Sequence, residues 1–304
     1  MNLTRAFVAS GILAAGASLQ PIPVAAQASE RAVYASVIDA DGQPVEGLNA
    51  AAFVVREDGL AREILRVVPA GEPMQIALLV DNSAAAAATI SSLRQALTGF
   101  LTAMTEPAEG GGRHEVAIIT LAGRPTIMAS YTTDRETLLT AANRIFVESS
   151  SAAYLMDAIV ETSQGLARRG AMRPVIIAIT TEGPDYSTRN RNQALAALDL
   201  AGGIFHAVIV GPSATDFSEE GRDRAIVLGQ GPEDHGGRRE ILFTATAVPN
   251  ALLRLAAELR SQYKITYSRP QTLIPPDEVT VSAADPRVKA YGVPVRDPDG
   301  RGGR

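Results

Sequence analysis

Asp81 and Ser83 stand two residues apart at the end of the apolar run 76–80, and Glu182 stands at the end of a second run, 174–181. In open α/β sheets, ligands gather outside the carboxyl ends of the strands, so a carboxylate and a hydroxyl leaving such a run are the first candidates for a site. If Asp81 and Glu182 converge, they form the carboxylate pair that general acid and base catalysis requires. No other catalytic pattern competes. The chain has no Cys, which removes thiolate nucleophiles, thiolate metal sites and disulfides together. His114, His206 and His235 are scattered, and no HExxH, GxSxG or GxGxxG occurs in the strand and helix context its chemistry needs. His206 lies inside an apolar run and reads as a core histidine.

The elements that must position these residues follow from pattern. Residues 76–80 are too continuously apolar for a half-exposed strand and fit one covered on both faces. Asn82 or Ser83 is expected to cap a helix that begins in the alanines 84–88 and runs on through Ile90, Leu93, Leu97, Phe100, Leu101 and Met104, one apolar stripe at helical spacing. Strands over 114–121, 126–131, 174–181 and 204–210 alternate with helices over 134–145, 153–169 and 191–201. Such alternation predicts right-handed crossovers in a doubly wound, mostly parallel α/β sheet flanked by helices. The glycine- and charge-rich stretch 213–240 reads as a long surface loop with one short helix near 218–228.

Outside this core, residues 1–26 read as an export signal: Arg5, an apolar stretch 6–19, and the small residues Val24 and Ala26 ahead of Gln27. The expectation is a periplasmic or secreted protein that starts near Gln27 and has no integral membrane segment once the signal is cleaved. Residues 27–73 form short extended pieces broken at Asp41-Gly42 and Asp58-Gly59, too few to bury a core alone. A second β segment, 269–296, follows the α/β part (74–268), and the two are expected to pair as a small accessory β module. Residues 297–304 are expected to be disordered.

Composition narrows the function classes further. The chain has 304 residues, 46% of them hydrophobic, and a net charge of -5 without a Lys/Arg cluster, which argues against nucleic-acid binding. With no Trp and 5% aromatics, stacking platforms for bases are not expected either.

Taken together, LLVDNSAA at 78–85, YLMDAI at 154–159, IIAITTEG at 176–183 and LRSQYKITY at 259–267 resemble the von Willebrand factor type A domain. The segments VIDADGQPVEGL and F-x-V-x-EDG, ending at Gly59, resemble a bacterial exported branch of that family. The resemblance implies a Rossmann-like sheet with a metal-ion-dependent adhesion site built from D-x-S-x-S, a threonine in a second loop and an aspartate in a third. Oxygens from three loops suit the octahedral shell of Mg²⁺. Asp81 and Ser83 match the first two ligands, but Ala85 replaces the second serine, Ala153 falls where the threonine belongs, and Glu182 replaces the aspartate. The site is therefore read as degenerate, binding Mg²⁺ or Mn²⁺ weakly or not at all, with no cofactor expected and Ser149, Ser150, Ser151 and Thr181 as substitute hydroxyls. The resemblance implies a non-enzymatic module that binds a protein partner through Asn82, Ser83, Ser150, Ser151, Glu182 and Asp185. The rival reading is a periplasmic hydrolase on the same sheet using Asp81 and Glu182.

Overall fold

A computed structural model of the chain describes residues 28–107, 112–183, 185–211, 218–270 and 274–296. The export segment, the start of the 213–240 stretch and the tail 297–304 lie outside these. In chain order the strands and helices are β1 (Ala28–Ile38), β2 (Phe53–Glu57), β3 (Leu60–Arg62), β4 (Ile64–Pro69), β5 (Gln75–Val80), α1 (Ile90–Thr105), β6 (Glu115–Thr120), β7 (Thr126–Thr132), α2 (Arg135–Asn143), α3 (Leu155–Arg168), β8 (Pro174–Thr181), α4 (Arg191–Ala201), β9 (Ile204–Val210), α5 (Glu219–Asp234), β10 (Arg239–Leu242), α6 (Val248–Arg260), β11 (Tyr263–Pro270), β12 (Val279–Ala283) and β13 (Lys289–Pro294).

Six strands form one sheet in the order β10-β9-β8-β5-β6-β7, parallel except where β7 runs back against β6. The apolar strands have both faces covered, which explains their lack of alternation. Ile76, Leu78 and Val80 of β5 pack with α1 and α6 on one side, while Ala77 and Leu79 pack with α3 and α4 on the other. From β5 the chain crosses to β6 on one side, and later strands β8, β9 and β10 fill the other. That reversal of winding puts the crevice at the carboxyl ends of β5 and β8.

The terminal segments build two antiparallel sheets, β13-β1-β11-β4 and β12-β2-β3. Val33, Val37 and Val55 from the start of the chain share one apolar cluster with Ile265, Tyr267 and Val281 from its end. Asp58 and Gly59, both at positive φ, make the turn between β2 and β3, the conformation a tight hairpin demands. Among the described residues no helix is long and apolar enough to cross a membrane.

Two local expectations are corrected. The alanines 84–88 form a 3₁₀ turn separate from α1, with Ala86 N–H bonded to Ser83 O and Thr89 N–H to Ala86 O. Neither Asn82 nor Ser83 caps a helix: Ser83 makes no side-chain cap bond, and the Asn82 side chain is spent elsewhere. The stretch read as a loop with a short helix instead carries α5, sixteen residues long with Pro232 inside it. Gly231 belongs to this helix for packing reasons, since a Cβ there would lie 3.0 Å from the Phe205 ring.

Buried histidines give the fold a pH dependence. His206 in β9 is wholly buried, and its Nδ1 accepts the Arg238 N–H at 3.2 Å. Burial pushes its pKa from 6.5 down to about 4, against the pull of Glu258. His114, whose Nδ1 accepts the Met74 N–H, is likewise pushed down to about 4, by burial first and then by Arg173 and Arg260. Both rings stay neutral in the fold at pH values where the unfolded chain binds protons. Stability is therefore fully present above pH 6.5 and is lost as pH falls from 6.5 toward 4, by about 3 kcal/mol for His206 at ~1.4 kcal/mol per unit. Urea midpoints measured across that window should fall steadily; a midpoint unchanged down to pH 4 would contradict this assignment.

Candidate functional site

Asp81 follows β5 directly, and its N–H extends the ladder by bonding to Ile179 O at 2.9 Å. Its side chain turns inward, leaving the residue 2% exposed. Oδ1 accepts the Ser83 N–H at 2.9 Å. Oδ2 accepts the Thr180 hydroxyl at 3.0 Å, the Thr181 N–H at 3.1 Å and the Thr181 hydroxyl at 3.0 Å. Oδ2 thus takes three donors and Oδ1 one, which leaves a single acceptor position on Oδ1. Thr181, a candidate substitute ligand, spends its hydroxyl on Asp81.

Asn82 ties three loops together. Its Nδ2 donates to Phe146 O at 3.0 Å, its Oδ1 accepts the Ala122 N–H at 2.9 Å, and its own carbonyl accepts the Glu148 N–H. Ala84 N–H bonds to Ser151 O, so the segment after β5 is laced to the segment before α3. Ala153 is buried and forms bridges with Ala122 and Asp185. Ala85 lies against the turn after β8, where a Cβ on Gly183 would come within 2.8 Å of its methyl.

Asp185 is also an internal residue. Its Oδ2 accepts the Leu155 N–H at 3.0 Å, capping α3 from a neighbouring loop in place of Tyr154, which makes no cap bond. The positive end of the helix favours a carboxylate there. Oδ1 accepts the Ser187 N–H, and burial still pushes the carboxyl above its ordinary pKa, opposed by Ser187 and Arg224. Asp157, in the first turn of α3, accepts the N–H groups of Thr188 and Arg189. Of the residues expected to meet a partner, Asn82, Ser83 and Asp185 are therefore buried, Ser151 and Glu182 are half-buried, and Ser150 is exposed. Among the described residues Glu182 has no side-chain hydrogen bond.

One residue at the site had no place in the sequence reading. Arg224 rises from α5 with 4% exposure. Its Nη1 donates to Gly183 O at 2.7 Å, and its Nη2 donates to Thr180 Oγ1 at 2.6 Å and to Thr181 O. Nε lies 3.9 Å from Asp185 Oδ2. The guanidinium thus sits between Asp185 and the hydroxyl that donates to Asp81.

A divalent ion does not fit these donors. Ser83 supplies one hydroxyl, positions 85 and 153 supply methyl groups, and Asp81 keeps only one acceptor position, on Oδ1.

No protein-family model matches the chain, and no curated protein matches it. Solved structures do. A von Willebrand factor type A protein from Catenulispora acidiphila superposes with a TM-score of 0.50 at 10% identity, over 88% of this chain and 72% of that one. BatB from Bacteroides thetaiotaomicron aligns with 62% of this chain and 100% of its own at 16% identity, with a TM-score of 0.44. The vWF domain of the type V pili tip protein Mfa5 from Porphyromonas gingivalis aligns with 62% of this chain and 96% of its own at 10% identity, with a TM-score of 0.47.

Proposed function

We propose that this chain, which has the von Willebrand factor type A fold, is an exported, non-enzymatic module that binds a protein partner through the loops at the carboxyl ends of β5 and β8. The observation that carries the reading is a set of exposed, largely apolar residues on those loops and on the segment between α2 and α3 that is laced to them. Ala84, Ala85, Ala87 and Ala88 are exposed along the 3₁₀ turn, flanked by Phe146 and Tyr186, each 63% exposed. Both aromatics are tied to the site by backbone: Phe146 O takes the Asn82 amide, and Tyr186 N–H bonds to Ala153 O. Exposed Glu148, Ser149 and Ser150 and half-buried Glu182 supply a polar, acidic rim. An apolar centre with aromatic anchors and a polar rim is how protein interfaces are built. The apolar stretch 6–19 at the start of the chain supports export to the periplasm or beyond.

The buried part of the site serves as a frame in this reading. Asp81, Asn82 and Asp185 fix three loops by hydrogen bonds so that the surface is preorganised, which lowers the ordering cost of binding. The test is capture of partners from the native envelope fraction by the mature chain, followed by affinity measurements with Phe146→Asp and Tyr186→Asp. Each exposed ring contributes little to folding, so both variants should melt like the parent while affinity falls roughly tenfold or more per anchor. Undiminished affinity in both variants would move the binding face elsewhere.

A further inference from the structure

The carboxyl ends of β5 and β8 hold a cation that belongs to the chain. We propose that the Arg224 guanidinium stands in for a divalent ion at this site, so that the loops are held and the acids balanced without metal. The inference rests on the fold and the geometry around Asp81, independently of which partner is bound.

Three observations converge on it. The first is the oxygen count. Mg²⁺ demands near-ideal octahedral geometry and sheds water reluctantly, yet three donors already crowd Asp81 Oδ2, and only one position of Oδ1 is left beside the Ser83 N–H. The second is the pair of methyl groups, Ala85 against Gly183 and Ala153 in a buried bridge, where the type A pattern has hydroxyls. The third is the placement of charge. Arg224 is anchored on Thr180, Thr181 and Gly183 and lies 3.9 Å from Asp185, so its fork bonds three oxygens of the turn after β8. Through Thr180 Oγ1, which accepts from Arg224 and donates to Asp81, the same positive charge is relayed to the acid at the end of β5. A planar five-donor fork that is always charged suits this bridging role, and a second cation beside it would meet repulsion at low dielectric.

Calorimetric titration of the mature chain with Mg²⁺ and with Mn²⁺ tests the proposal. No saturable binding is expected, and the melting temperature should be the same in EDTA as in millimolar Mg²⁺. Restoring hydroxyls with Ala85→Ser and Ala153→Thr should not create a metal site while Arg224 remains. Arg224→Gln should lower the folded-to-unfolded ratio by about a hundredfold or more, since it takes the donor from the Gly183 and Thr181 carbonyls and the countercharge from buried Asp185. Complete failure of Arg224→Gln to fold agrees with this, and the unmodified chain's titration then decides. The proposal is overturned by saturable metal binding in the unmodified chain that disappears in Asp81→Ala, by binding gained in the Ala85→Ser, Ala153→Thr variant, or by a loss under tenfold in Arg224→Gln.

Discussion

Asp81→Ala is expected to cost about 3 to 5 kcal/mol of folding stability, an unusually large effect for a polar residue. Four donors converge on this carboxylate: the N–H groups of Ser83 and Thr181 and the hydroxyls of Thr180 and Thr181. An orphaned buried donor costs about 1 to 3 kcal/mol, and the hydroxyls recover part of that by rotating toward other acceptors. Arg224 would also lose the anion it is coupled to through Thr180. Asp81→Asn should fall between parent and Ala, because an amide oxygen still accepts but its NH₂ confronts donors. Urea unfolding of the three proteins measures this. A loss below about 1 kcal/mol in Asp81→Ala would mean that the carboxylate is a surface group and that the frame described above does not exist.

A loss of similar size, about 3 to 5 kcal/mol, is expected for Arg173→Met, at the opposite end of the sheet. Arg173 is among the most buried large side chains of the protein, at 2% exposure. Its guanidinium donates to Ala70 O, Glu72 O, Leu259 O and Gln262 Oε1, and it lies 4.9 Å from the Tyr34 ring centroid. Those partners belong to the linker after β4, the end of α6, the turn into β11 and strand β1. One side chain therefore joins the six-stranded sheet to the antiparallel sheet β13-β1-β11-β4. Burial lowers its pKa to about 10, with Tyr34 and Glu72 pulling upward, so it remains charged at neutral pH. Methionine keeps much of the volume and leaves four acceptors without their donor. Amide exchange should accelerate in β1 and in the 70–73 linker of Arg173→Met; exchange unchanged there would show that the joint is held by apolar contacts alone.

How much of this was legible in the sequence depended on what each residue contacts. Strands covered on both faces announce themselves by uninterrupted Val, Ile, Leu and Ala, and so β5, β8 and β9 were readable, as was the emergence of Asp81 at a strand end. Asp81's partners were less readable. Thr181 entered only as a substitute ligand and Thr180 not at all, because strand residues adjacent in sequence ordinarily face opposite sides; here both hydroxyls reach one oxygen at the strand's end. The full length of α5 was missed for a different reason. Gly229, Gly231 and Pro232 lie in a segment of weak amphipathicity, and glycine inside a helix argues against the helix unless something needs the space. Phe205 needs it, a contact that spans 26 positions and is invisible to local pattern. Arg224 itself fell within the short helix expected near 218–228, but its partners Thr180, Thr181 and Gly183 lie 41 to 44 positions away, beyond any local pattern. Asp185 and Asn82 were seen as loop polar groups, but whether such groups point outward or lace loops together is decided by tertiary contacts.

Whether the crevice at the carboxyl ends of β5 and β8 carries its own cation is decided by a crystal structure of the mature chain grown in millimolar Mn²⁺, with data collected at the manganese edge. The Arg224 guanidinium is expected within hydrogen-bond distance of Thr180 and Gly183, with no anomalous peak near Asp81. A manganese peak between Asp81 and Ser83, with Arg224 swung away, would contradict that expectation.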